Sequence, residues 1–170
     1  MRQTGKKFKL PKTLFNKTFW NHFGAVAKNA YIGYIFDKSN PRMSNDRPFP
    51  NYSRGYEKKK KSGKIGSEEK GFTSVQGGYE NSTAPVVRGD LRLDTNHSTD
   101  AKNNAVYIGW TSHANKVKWL RDMNPERILT SKAHPFPKKI TGKKLMKLFN
   151  QHLEKVMPKG TRTTTIGKKK

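Results

Sequence analysis

The sequence predicts an α+β fold with an N-terminal amphipathic helix, a small antiparallel sheet with a long hairpin loop, a C-terminal helix and extended basic arms. Apolar residues recur at helical spacing over residues 13–36 and again over 141–156. Between them, residues 72–110 contain short apolar or alternating stretches, which are typical of strands. Only 32% of the 170 residues are hydrophobic and the formal net charge is +24, so we expect a compact core with basic, loosely held flanks.

The first helix is predicted over residues 13–36. Thr13 is the expected N-cap, and Pro11 keeps the helix from extending into the Lys-rich arm at residues 1–12. The apolar stripe of this helix begins with aromatic residues spaced four apart, which we assign to the core: Phe15, Phe19 and Phe23.

Residues 37–71 have turn-forming dipeptides and no apolar period, so they are predicted to be a loop insertion that is either disordered or functional. Ser53 is a candidate cap for one short helix within it. Aromatic side chains bring a large contact area with few rotatable bonds. We therefore expect a partner or subunit contact at the tyrosines and the lysine run of this insertion: Tyr52, Tyr56, Lys58, Lys59, Lys60 and Lys61.

Two antiparallel strands are predicted near residues 90–95 and 105–110, joined by a polar loop of about ten residues over 94–104. The second strand alternates, with Val106 on the same face as two residues assigned to the core, Ile108 and Trp110. Long loops between strands often carry contact residues. The polar residues of the loop are accordingly predicted to contact a partner: Asp94, Asn96, His97 and Asp100.

Three shorter predictions complete the chain. Residues 114–120 are expected to form one or two helical turns, and residues 127–129 a short strand. A last helix is predicted over residues 141–156, capped by Thr141. Two residues of its apolar face are assigned to the core: Leu145 and Phe149.

These elements predict a single α+β domain over residues 13–156. It carries loop insertions at 37–71 and 94–104, and it is flanked by a basic arm at 1–12 and a basic tail at 157–170. The ordered core is small for a chain of this length, so we expect some segments to become ordered only against partners.

The charge is concentrated in two blocks. Residues 1–61 carry a net charge of +12 and residues 105–170 carry +13, whereas residues 62–104 carry −1. Solvated basic faces and tails would account for this pattern, and so would contact with a polyanion or an acidic protein surface.

No arrangement typical of catalysis is found in the sequence. Cysteine is absent, the five histidines lack metal-binding spacing, and the 12 carboxylates are not paired. There is no phosphate-binding loop and no nucleophile-elbow motif. We therefore expect a protein that is not an enzyme and that uses neither a cofactor nor a metal. With no long apolar run, we also expect no signal peptide and no membrane span.

Four short motifs occur in a fixed order before the last helix. They are RPFPNYSRGY at residues 47–56, VVRGDL at 86–91, VYIGW at 106–110 and a Pro-aromatic segment at 127–137. Their sequence and order resemble the tail-completion or head–tail joining (neck) proteins of tailed bacteriophages. The resemblance covers roughly residues 13–156.

The resemblance implies a structural virion protein that forms a homo-oligomeric ring in the phage neck. A hexamer is favoured and a dodecamer is the alternative. The implied partners are portal, adaptor or tail-tube proteins, with non-specific contact to packaged DNA and no membrane contact. Such a protein would be assembled in the host cytoplasm and reside at the neck–tail junction of the virion.

A basic nucleic-acid-binding protein of the ribosomal or nucleoid type is the alternative. The abundant lysines with neighbouring aromatic residues suit this class. It accounts for the charge, but it leaves the ordered motifs unexplained.

Overall fold

The chain folds into helices and two small antiparallel sheets, which confirms the predicted α+β class. The computed structural model describes residues 15–67, 71–86, 88–140 and 144–156. Two predicted caps, Thr13 and Thr141, lie outside these residues, as do the predicted basic arm at 1–12 and the basic tail at 157–170.

The elements follow one another without internal repetition, and the two sheets are hairpins of consecutive strands. In chain order they are α1 (Lys17–Ile35), α2 (Arg54–Lys61), β1 (Lys64–Ser67), β2 (Gly71–Ser74), α3 (Asp90–Leu93), β3 (Thr95–Asp100), β4 (Ala105–Trp110), α4 (Ala114–Arg121), α5 (Lys138–Ile140) and α6 (Met146–Val156).

Helix α1 begins at an asparagine cap. The Asn16 Oδ1 accepts a hydrogen bond from the Phe19 backbone N–H at 2.8 Å, which satisfies one free donor of the first turn. The helix therefore begins later than the predicted residue 13 within the described part of the chain, and it ends at Ile35 as the apolar stripe predicts.

The main core forms around the C-terminal half of α1. Tyr31 and Ile35 are fully buried, and the Tyr31 hydroxyl donates to the Leu129 carbonyl at 2.6 Å. Much of the rest of this core comes from residues outside regular elements: Phe36, Met43, Phe49, Val75, Tyr79, Ala84, Val86 and Leu129. Irregular segments thus supply core packing that the sequence pattern does not reveal.

An aromatic cluster joins α1 to α6. The Phe15 ring stacks on Phe149 with centroids 4.7 Å apart, and the Phe19 ring lies 4.2 Å from the His152 ring. Of the residues assigned to the core, Phe19 and Leu145 are buried. The others are half-buried: Phe15, Phe23, Ile108, Trp110 and Phe149.

The predicted long hairpin loop is wrong. Residues 95–100 form strand β3, which pairs with β4 from Thr95↔Trp110 to Asp100↔Ala105, and only residues 101–104 form the turn. Residues 90–93, predicted as a strand, form α3. The sequence does not predict β3 as a strand because its inward residues are polar. The Thr95 hydroxyl donates to the Leu91 carbonyl, and the Thr99 hydroxyl donates to the Asn21 side chain.

The insertion at residues 37–71 is not an unstructured loop. It contains α2 and β1, and the predicted cap is confirmed, because the Ser53 side chain accepts from the Tyr56 N–H. Strand β1 pairs with β2 from Lys64↔Ser74 to Ser67↔Gly71.

Helix α4 confirms the prediction at residues 114–120, and α6 confirms the C-terminal helix. The strand predicted at residues 127–129 is wrong. This segment joins no sheet in the described chain, because its polar groups bond to irregular segments, including a Ser44 N–H that donates to the Ile128 carbonyl.

Candidate assembly interface

The β3–β4 hairpin rests on α1 through its inner face. Thr95, His97 and Thr99 share this face with their cross-strand partners Trp110, Ile108 and Val106. The His97 ring lies directly over Gly24 of α1, where an added Cβ would collide with it. The hairpin approaches the helix this closely because position 24 has no side chain. His97, predicted to contact a partner, is therefore turned toward α1.

The outer face of the hairpin is open to solvent. Asn96, Ser98 and Tyr107 are exposed, and the Tyr107 side chain retains 58% of its accessible surface. Among the predicted contact residues of this hairpin, Asn96 alone is exposed. The outer face is polar apart from Tyr107, Ala105 and Gly109, and it carries no lysine or arginine.

The two aspartates predicted as contacts stabilise the ends of the hairpin. Asp94 Oδ2 accepts the backbone N–H groups of Ser112 at 3.0 Å and His113 at 2.8 Å. Burial acts to raise the pKa of Asp94, but these hydrogen bonds outweigh it and hold the pKa below its ordinary value. Asp100 accepts from the side-chain amide of Asn103, which lowers the pKa of Asp100. Both carboxylates are thus engaged within the hairpin.

One edge of β4 borders an apolar groove with a volume of about 370 Å³. Its lining comes from helix α1, strand β4, the segment before α5 and Leu145 just before α6. The lining residues include Phe23, Ala27, Val106, Pro135, Phe136 and Leu145.

The backbone of β4 pairs with β3 alone within the described residues. A two-stranded sheet directs the remaining N–H and C=O groups of each strand away from its partner, so this edge is a template for another strand. Peptide recognition by strand addition uses this combination, since main-chain hydrogen bonds form along the edge and alternate side chains fill adjacent pockets. The edge of β4 and the groove together form the candidate site.

The segment predicted as an assembly arm belongs to the folded body. Phe49 is buried, and the Tyr52 hydroxyl donates to the Ala84 carbonyl at 2.9 Å. Lys60 retains only 1% of its accessible surface, and its Nζ donates to the carbonyls of Ser82 at 2.6 Å and Ala84 at 2.9 Å. The prediction that Lys60 is a surface contact is therefore wrong, and Tyr52 is held internally.

Two cations lie side by side in this region. The Arg127 guanidinium and the Lys60 ammonium face the same Tyr52 ring, at 3.8 Å and 4.7 Å from its centroid. Burial, together with the nearby Arg127 charge, lowers the pKa of Lys60 from 10.5 to about 8. Burial also raises the pKa of Tyr52. The cluster anchors the 49–61 segment internally.

The rest of the lysine run lies on the surface. Lys58, Lys59 and Lys61 are exposed on α2, and Lys61 pairs with Glu57 at 2.6 Å. Tyr56 is half-buried, with its ring 4.6 Å from that of Tyr52. These three lysines remain available for contact with an acidic partner or a phosphate backbone.

The described residues contain neither a metal-binding cluster nor a membrane-spanning helix. No group of three or more histidine, aspartate or glutamate side chains within them is arranged to hold a metal. No helix in the described ranges is long and apolar enough to cross a membrane.

Comparison with known proteins yields no relative. No protein-family model matches the chain, no curated protein matches it, and no solved structure matches it. The functional interpretation therefore depends on the geometry of the chain itself and on its motif order.

The groove was not predicted from the sequence. Phe23, Phe136 and Leu145 are far apart along the chain, and no periodic pattern relates them. Arg127 was also missed, because a single arginine in an irregular segment gives no signal of burial. The strand that forms the edge was predicted correctly at residues 105–110.

Proposed function

We propose that this protein is a structural subunit of a tailed-phage neck, where it forms a ring that joins portal or head-completion proteins to the tail. The observation that carries the proposal is the free edge of β4 beside an apolar groove. Open strand edges next to apolar surface favour pairing with another chain. A subunit built for assembly has these properties.

The motifs that resemble neck proteins also support the proposal. Residues 47–56 include Phe49 of the main core and the internally bonded Tyr52. Residues 106–110 form most of the strand that carries the free edge. The resemblance therefore includes residues of the body and of the candidate interface, together with exposed positions such as residues 53–55.

The high net charge of each subunit restricts how a ring can form. Subunits that each carry +24 repel one another, so a ring of them needs salt screening or an anionic neighbour. Packaged DNA in a central channel or acidic rings above and below would supply that neighbour. The exposed lysines Lys58, Lys59 and Lys61 are suited to either contact.

Native mass spectrometry of the nuclease-treated protein tests this function. We expect species of six 19.5 kDa chains, with twelve as the alternative, formed by the protein alone or after mixing with a candidate portal or adaptor ring. A protein that stays monomeric under all these conditions and retains RNA until nuclease treatment would contradict the ring.

The exposed lysines of α2 favour a second candidate, a basic nucleic-acid-binding protein of the ribosomal or nucleoid type. Its test is a salt titration of binding to DNA and RNA. Several neutralised phosphates would give a steep linear fall of log binding constant with log salt. Tight binding of this kind by a strict monomer would support the second candidate over the neck subunit.

A further inference from the structure

The edge of β4 and the lining of its groove restrict the conformation and the side-chain pattern of any segment that binds there. A chain that pairs with the edge of β4 must be extended, and every second side chain must point toward the groove. The groove lining is largely apolar, with Phe23, Val106, Phe136 and Leu145 among its residues. The side chains that enter it must therefore be apolar at alternate positions.

The N-terminal segment has this pattern. The described chain begins at Phe15, and residues 6–10 read Lys-Lys-Phe-Lys-Leu, with Phe8 and Leu10 alternating with Lys7 and Lys9. The C-terminal residues 157–170 hold no such pair, since their two large apolar residues are nine positions apart.

We propose that residues 6–10 of a second copy of this chain add to the free edge of β4, with Phe8 and Leu10 in the groove. This inference rests on the proposed assembly function and names the contact that links one subunit to the next. The donor segment and the acceptor edge are different surfaces, so the contact is head-to-tail and can close into a ring.

The charge and the exposure of the outer face of the hairpin also favour a register in which Phe8 and Leu10 enter the groove. With Phe8 and Leu10 directed inward, Lys7 and Lys9 lie on the outer side of the extended sheet, beside the exposed Tyr107 ring. A lysine over a tyrosine face is favourable, and the outer face of the hairpin contributes no lysine or arginine to repel it.

The length of the segment suits an exchange between copies. Five extended residues lead from Phe15 back to Leu10 and span about 17 Å, and nine lead back to Lys6 and span about 30 Å. Proline disfavours the helical conformation at the preceding residue, so the Leu10-Pro11 sequence suits pairing of residues 6–10 as a strand. The arm therefore reaches the edge of a neighbouring β4 that lies within about 17 Å of Phe15.

Disulfide trapping in the full-length chain tests the contact cleanly, because the chain contains no cysteine. The variant L10C is mixed with V106C or, for the neighbouring register, with I108C, and each pair is oxidised. We expect disulfide-linked dimers from one of these mixtures, and ladders extending to the full ring from the corresponding double variant. The matched control is S98C on the outer face of β3, which should give at least tenfold less linked product with L10C.

A second variant separates assembly from folding. F8D/L10D should reduce the ring fraction at least tenfold while leaving the thermal melting of the subunit unchanged, because both positions precede the described body. The control K7S/K9S keeps the apolar pair and should still assemble.

The outcomes are distinct. Disulfides that form only within single chains would overturn this inference. Rings that form without linked product and persist in F8D/L10D would also overturn it, but they would still support the proposed ring function. Linked open chains without rings would support the strand exchange and contradict the ring.

Discussion

The guanidinium of Arg127 lies 3.8 Å from the centroid of the Tyr52 ring and is almost entirely buried. Its two terminal nitrogens donate to the Thr83 carbonyl at 2.9 Å and to the Pro50 carbonyl at 2.7 Å. One side chain thus joins three segments that are distant in sequence and contain little regular structure. The stability of this half of the molecule depends on polar contacts as well as on apolar burial.

Arg127→Met should destabilise the protein by about 2–4 kcal/mol, because two half-buried carbonyls lose their charged donors and the almost fully buried guanidinium is removed from its contacts. Arg127→Lys should recover only part of this loss, since an ammonium cannot reproduce the planar two-point contact. Chemical denaturation measures both, with the exposed Arg121→Lys as control. An Arg127→Met variant within about 0.5 kcal/mol of the parent would contradict this role.

Lys60 should make stability rise with pH. Its pKa in the folded chain is about 8, below the ordinary 10.5, so between these values the unfolded chain holds a proton that the folded chain has released. The free energy of unfolding therefore increases with pH in this window. We expect a gain of about 1 kcal/mol between pH 8 and 9.5 that Lys60→Met lacks.

The control for that comparison is the exposed neighbour variant Lys59→Met, which should keep the rise. The upper limit of pH 9.5 keeps ionisation of tyrosine in the unfolded chain partial, and the comparison with Lys60→Met cancels this opposing effect because both variants share the same tyrosines. Parallel stability curves for the parent and Lys60→Met would show that Lys60 keeps an ordinary pKa.

Two glycines of α1 should respond oppositely to alanine. Gly33→Ala should stabilise the protein by about 0.5–1 kcal/mol, because no atom lies within 4 Å of the added Cβ and alanine favours the helix. Gly24→Ala should destabilise it, since the added methyl group collides with the His97 ring and pushes the hairpin from α1. Comparing the melting temperatures of the two variants separates the effect of the His97 contact from the effect of helix propensity. Equal shifts in melting temperature would contradict the close packing of the hairpin on α1.

Phe19→Ala should cost about 3–5 kcal/mol. Phe19 is 6% exposed and its ring contacts Phe15, Trp20, Phe23, Phe149 and His152. The matched variant Phe72→Ala removes a ring that is 57% exposed and should change stability by less than about 0.5 kcal/mol. Thermal unfolding compares them, and a Phe19→Ala variant as stable as the parent would remove Phe19 from the core.

Periodic segments were predictable because their burial follows a regular spacing. The aromatic stripe of α1, the alternation of Val106, Ile108 and Trp110, and helix α6 all have this property. Strand β3 was missed because its inward residues are Thr95, His97 and Thr99, whose pattern is not apolar.

The buried cluster could not be predicted, since a lysine run is normally solvated. Lys60 differs from its neighbours only because α2 turns it toward the carbonyls of residues 82–84, which no local pattern specifies. The groove at the candidate site likewise depends on tertiary packing that brings α1, β4, the segment before α5 and Leu145 together.

Hydrogen exchange of the β4 amides, compared between free and assembled protein, tests the central claim that this edge is the assembly surface. Amides of residues 105–110 that point away from β3 should exchange rapidly in the free subunit and at least tenfold more slowly in the assembly, because a neighbouring strand then accepts their hydrogen bonds. Amides of α4, whose bonds lie within the helix, should change little. An assembled ring in which the β4 amides exchange at the same rate as in the free subunit would contradict the account.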